Sequence, residues 1–186
     1  MGAPATQPAA DDALATAFAH GEARAFDLLY ERWAPRVTGY AHRMLGRAED
    51  AEEVCVETFS RVLERRWRVG GSFRAWLFTV AHRLCIERLR RRALTDRVYR
   101  LFGAADPRAA PTPEGLLLTD ERDRRLAQAL DALPAEHRAT LLLSLAQELS
   151  AREIGEVLGR TDQQVRSQLS YARRLLREQL GAEEEP

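Results

Sequence analysis

Apolar residues in this chain recur at helical spacing. Phe26, Leu29, Tyr30, Trp33, Val37, Tyr40, Ala41, Met44 and Leu45 follow the three-and-four rhythm of one helix face, interrupted by Pro35 and closed by Gly46. Before them, Leu14, Ala17 and Phe18 predict a shorter helix, capped by Asp11 or Asp12 and ended at Gly21. A third helix from about Ala48 sets Cys55, Phe59, Val62 and Leu63 on one side and Glu49, Glu53, Glu57, Arg61 and Arg65 on another. After a break at Val69-Gly70-Gly71-Ser72, the residues Trp76, Leu77, Val80, Ala81, Leu84 and Leu89 predict a fourth, running into Arg90-Arg91-Arg92.

Periodicity then fades from about Ala93 to Leu118, where Pro107, Pro111 and Pro113 fall among alanines and glycines. It returns with Leu126, Leu130 and Leu133, and Pro134 opens a leucine-rich helix to about Leu149. Two capping boxes follow: Ser150 with Glu153, then Thr161 with Gln164, separated by Gly159. A short helix, a glycine turn and a longer arginine-bearing helix form the helix-turn-helix pattern. The fold class is therefore all-α, with two small helical domains joined by a flexible linker. Residues 1–10 are expected to be disordered, 11–92 form the first domain, 93–118 the linker, 119–180 the second domain, and 181–186 an acidic tail.

Charge sharpens this picture. The 28 basic and 28 acidic side chains cancel, but they are segregated along the chain. Arg61 to Arg92 holds ten arginines against Glu64 and Glu87, whereas Leu45 to Ser60 holds Glu49, Asp50, Glu52, Glu53 and Glu57 against Arg47 alone. Every basic side chain is arginine; a GC-rich codon bias accounts for much of that, although arginine also suits phosphate and guanine contacts. Cys55 and Cys85 lack metal-ligand spacing and are expected to be reduced core residues. No window approaches a membrane span, and the N-terminus does not resemble a signal peptide, so a cytoplasmic protein is expected. His20, His42, His82 and His137 are scattered, and no GxSxG, HExxH or phosphate-loop pattern occurs, so neither catalysis, nor a metal, nor a cofactor is expected.

Three constellations remain. The exposed side of the last helix offers Gln164, Arg166, Ser167, Gln168, Tyr171, Arg173 and Arg174, polar groups suited to base edges and phosphates. The segment Arg66-Trp-Arg-Val-Gly-Gly-Ser-Phe-Arg-Ala-Trp-Leu-Phe78 interleaves arginines and aromatics around a glycine loop, as single-strand binding requires. Trp67, Phe73 and Trp76 equally suit the filling of a helix junction, and Trp76 is expected to be buried. The row Glu49-Glu53-Glu57, with Asp50 and Glu52, is either a solvated face paired to arginines one turn on or a docking surface for a basic protein. Taken alone, the C-terminal unit equally fits a free-standing helix-turn-helix regulator.

The segments Asp50–Phe59 and Phe73–Arg92, and Leu133-Pro134 followed by Leu149–Arg174, resemble successive signatures of extracytoplasmic-function (ECF) sigma factors over about Asp12 to Leu180. The resemblance implies that residues 11–92 are sigma domain 2 and 119–180 sigma domain 4, with core RNA polymerase, promoter DNA and an anti-sigma factor as partners. Glu49, Asp50, Glu52, Glu53, Val54, Glu57 and Phe59 would then lie on the helix that docks on the clamp helices of the largest subunit. Trp67, Arg68, Gly71, Ser72, Phe73, Arg74 and Arg83 would meet the minus-ten element. Gln164, Arg166, Ser167, Gln168, Ser170, Tyr171 and Arg174 would read the minus-thirty-five element, beside the flap of the second large subunit. Val56, Arg83 and Gln168 stand where the family usually has glutamine, asparagine and a basic residue, and the last two departures bear on promoter sequence.

Overall fold

The computed structural model describes residues 8–64, 67, 71–101 and 121–181. Among these residues the only regular elements are helices: α1 (Pro8–Ala19), α2 (Ala23–Leu45), α3 (Ala48–Leu63), α4 (Phe73–Leu101), α5 (Glu121–Asp131), α6 (Ala135–Leu145), α7 (Ala151–Leu158) and α8 (Asp162–Gly181). No helix among them is long and apolar enough to cross a membrane.

The helix boundaries follow local chemistry. Gly46 takes the left-handed conformation (φ 74°) and its N–H closes α2 on the His42 carbonyl. Pro35 sits within α2 without ending it. Three boundaries depart from expectation. α1 begins at Pro8, ahead of its expected caps. Asp11 instead is buried and pairs with Arg32, while Asp12 accepts a hydrogen bond from the Phe73 N–H (2.7 Å), capping α4 from a distance. α4 continues beyond Arg92 to Leu101, through the first third of the expected linker. Its extension has no core to face, since Leu94 and Val98 are exposed, but Ala93, Leu94 and Arg97 favour helix and neither glycine nor proline intervenes. α6 stops at Leu145 rather than Leu149. The Gln147 and Leu149 N–H groups turn back to the Leu142 and Leu143 carbonyls, with Glu148 at φ 54° where a glycine is usual. The rest of the expected linker and the acidic tail lie outside the described residues.

In the first domain α2 is the central helix. Trp33, Val37, Tyr40, Ala41 and Met44 are almost wholly buried, and Phe78 of α4 meets both Trp33 (5.9 Å, 76°) and Tyr40 (5.5 Å, 79°) edge-on. The Tyr40 hydroxyl lies 2.8 Å from His82 Nδ1. Burial, helped by the neighbouring Arg83 charge, lowers the His82 pKa to about 4, so the ring is neutral. Cys55 and Cys85 are free and buried, and burial pushes the Cys85 thiol up to about 12, which makes it unreactive.

The second domain buries Leu141, Leu143, Ile154, Val165 and Ala172 in an apolar core that is continuous with that of the first. Its two capping boxes form as read from the sequence. Ser150 Oγ accepts from the Glu153 N–H while the Glu153 carboxylate accepts from the Ser150 N–H; Thr161 and Gln164 repeat the exchange. Gly155 is required for packing: a Cβ there would lie 2.5 Å from the Arg160 carbonyl oxygen, so α7 and the turn into α8 can meet only at a glycine.

The two domains are packed together, α7 against α4 and α6 against α2. Arg138 of α6 donates to the last carbonyls of α2, those of Arg43 and Met44 (3.4 Å each), while pairing with Asp131 (3.1 Å). Gln147 donates to the Arg36 carbonyl (3.4 Å).

Candidate functional site

Three surfaces carry the candidate residues. On α3, the helical repeat buries Ala51, Val54, Cys55, Thr58, Phe59 and Val62, leaving the carboxylates of Glu49, Glu52 and Glu53 outside and those of Asp50 and Glu57 half-buried. Val54 and Phe59, expected on the docking surface, are core residues at 0% and 3% exposure. They hold the helix from beneath, Phe59 through edge contacts with Tyr30 (4.8 Å) and Phe26 (6.2 Å). Leu63, expected on the buried side, is instead exposed, as is Val56. Two turns apart, they add a strip of two apolar side chains, interrupted by the exposed Ser60, beside the acidic row. Sequence reasoning missed this strip, although the spacing 56, 60, 63 marks it.

The acidic row is partly neutralised from α4. Arg88 reaches Glu53 (3.3 Å) and Glu57 (3.5 Å), and Glu57 also pairs with Arg61 one turn on (3.0 Å). The row is thus a solvated face paired to arginines, and its outer carboxylates still face solvent.

The second surface lies where α4 begins. Gly71 is exposed, Ser72 half-buried and Arg83, about three turns along α4 from the loop, exposed. Phe73 is buried, between Trp67 (5.9 Å) and Trp76 (6.1 Å). Its side chain is therefore packing and not reading surface. Trp76 is half-buried, as the core reading expected in part. Arg68 lies outside the described residues.

Arg74 is the largest departure at this surface. Only 8% exposed, it is turned into the seam between domains, where Nε and Nη2 form a fork on the Glu153 carboxylate at 2.6 and 2.7 Å. Ser72 Oγ donates to the same carboxylate (3.0 Å) and accepts from the Ala75 N–H (3.3 Å). Burial alone would raise the Glu153 pKa; the Arg74 hydrogen bonds and those from Ser150 overcome it and bring it down to about 2.

The third surface is α8. Val165, Leu169 and Ala172 face the core, so Gln164, Arg166, Ser167, Ser170, Tyr171 and Arg174 point outward. Arg166 pairs with Asp162 (2.8 Å), and the Arg174 guanidinium lies over the Tyr171 ring (5.1 Å). Gln168 does not join them. At 7% exposure it turns toward α6, with Nε2 3.4 Å from His137 Nδ1, because position 168 falls on the edge of the arc that 165, 169 and 172 bury. Gly159, at φ 67°, makes the turn between the two helices, and Gln163 and Gln164 at the front of α8 are exposed.

This arrangement of residues matches known proteins along most of its length. The family Sigma-70 region 2 matches residues 29–95, and Sigma-70, region 4 matches residues 123–176. The chain is 35% identical over 165 residues to the ECF RNA polymerase sigma factor SigL of Mycobacterium tuberculosis, covering 86% of this chain and 90% of that one. It is 34% identical over 163 residues to the ECF RNA polymerase sigma factor SigE of Mycolicibacterium smegmatis, covering 84% of this chain and 62% of that longer relative. Among solved structures, CnrH in complex with the cytosolic domain of CnrY superposes with a TM-score of 0.70 at 25% identity, covering 93% of this chain and 98% of that one. The sigma factor RpoE in complex with the anti-sigma factor NepR from Bartonella quintana has the same fold, with a TM-score of 0.67 at 22% identity over 84% of this chain and 96% of that one. The chain belongs to the ECF RNA polymerase sigma factors, non-enzymatic subunits of transcription initiation, with a region 2 domain ahead of a helix-turn-helix region 4 domain.

Proposed function

We propose that α3 docks this sigma factor on the clamp helices of the largest polymerase subunit, that the loop before α4 with Ser72, Arg74 and Arg83 holds the opened minus-ten strand, and that α8 reads the minus-thirty-five element. The observation that carries this reading is the outward row Glu49, Glu52 and Glu53 with Val56 and Leu63 beside it, a mixed acidic and apolar face suited to a basic helical partner. At α8, Arg166, Ser167, Ser170 and Tyr171 supply donors and a ring at the front of the helix, and Arg174 lies behind for phosphate. The second domain also rests on the polymerase flap.

An anti-sigma factor completes the set of partners. CnrH and RpoE, which share this fold, are each described in complex with another protein, an anti-sigma factor in the case of RpoE. Such a factor would act on the chain in the cytoplasm. Transcription reconstituted with core polymerase on fragmented genomic DNA tests the reading. Promoter-specific transcripts that depend on the chain are expected; absence of both a complex and any specific transcript would refute it.

A further inference from the structure

The Glu153 carboxylate sits in a site built for a phosphate. Five donors converge on it: Ser72 Oγ and Arg74 Nε on one oxygen, and Arg74 Nη2, Ser150 N and Ser150 Oγ on the other. Three of the five come from the first turn of α4 or the residue before it. A hydroxyl beside a guanidinium fork suits the oxygens of a nucleic-acid phosphate.

We infer that Glu153 is an internal mimic of a strand phosphate: it occupies the Ser72–Arg74 anion site in the chain free of polymerase, and a phosphate of the opened promoter strand takes its place when the domains separate. This deepens the proposed function and rests on its assignment of the loop to strand binding. The two anions compete for one fork, so domain packing and strand binding exclude each other.

The exchange is economical because each side keeps a partner. Once released, Glu153 still accepts from Ser150 and caps α7, so the helix-turn-helix stays folded. Arg74 passes from one anion to another and is never left buried and unpaired, the costly outcome. Meanwhile α8 already points to solvent in the packed form. Only the region 2 site is occupied.

The test substitutes Glu153→Gln, which keeps a capping-box side chain but loses the charge. Dyes on Gly39→Cys and Gln163→Cys, both exposed, report domain separation in the full chain by energy transfer; Cys55 and Cys85 are buried. A fluorescent 15-nucleotide single strand of mixed sequence is the ligand. E153Q is expected to lower energy transfer and to bind the strand about tenfold more tightly, as removal of a closed state requires. Unchanged energy transfer with unchanged affinity would overturn the latch. Lowered transfer with unchanged affinity would instead overturn the assignment of the loop to strand binding, and the proposal with it. In a second arm, Thr79→Cys and Glu156→Cys, which line one cleft at the seam, are joined by a short bis-maleimide. The joined chain is expected to lose strand binding that the unjoined double variant retains; equal binding by both would also overturn the proposal.

Discussion

Acid should weaken the folded chain through Glu153 in a predictable window. Its carboxyl ordinarily titrates at 4.5, and in the folded chain at about 2. A depressed folded value contributes stability that is complete above the ordinary value and is lost as pH falls toward the folded one. The full difference corresponds to about 3 kcal/mol, consistent with a carboxylate whose side chain is only 13% exposed and whose Arg74 partner is 9% exposed. About 2 kcal/mol of it should be gone by pH 3, a drop of roughly 4–8 °C in melting temperature for a chain of this size. Other carboxylates titrate in the same range, so the measurement is a difference. Thermal melts of wild type and Glu153→Gln, followed by circular dichroism from pH 7 to pH 3, should differ most at neutral pH and converge on acidification. A gap that stays constant over that range would show that the charge of Glu153 contributes nothing, and the ion-pair account would fail.

Three further outcomes follow from other sites. Glu53→Arg with Glu57→Arg removes only exposed or half-exposed pairs with Arg88 and Arg61, so the unfolding free energy from denaturant melts should change by about 1 kcal/mol or less. Polymerase affinity should fall, most at low salt; unchanged affinity there would remove the docking assignment. Gly155→Ala forces a Cβ to 2.5 Å from the Arg160 carbonyl oxygen and should cost about 1–3 kcal/mol in urea melts. Ser150→Ala should cost about 1 kcal/mol by the same measurement, through loss of the α7 cap.

Much of this molecule was legible because its helix stops are chemical. Gly46 and Gly159 take left-handed conformations where the apolar rhythm breaks, and both capping boxes formed from their serine, threonine, glutamate and glutamine residues. The end of α6 was hidden because Glu148, not glycine, makes its left-handed turn. The extension of α4 was hidden because periodicity reports a buried face, and no side chain of residues 93–99 is buried. Among candidate site residues, those on the outer arcs of α3 and α8 were placed correctly by spacing alone. Spacing also set Phe59 on the buried side; only the resemblance carried Val54 and Phe59 to the docking surface. Gln168 was misjudged because it lies at the margin of an arc, where the neighbouring helix decides. Arg74 could not be read at all, because its partner lies 79 residues away and local pattern carries no information about that distance.

The bond from Asp12 to the Phe73 amide bears on where the first folding unit begins. The region 2 match starts at residue 29, yet a fragment cut there would strip the amide at the head of α4 of its acceptor and take Phe26 away from Tyr30 and Phe59. The minimal autonomous piece should therefore include the helix from Pro8, and shorter versions should show faster amide exchange at residues 73–76, the stretch that leads out of the loop before α4.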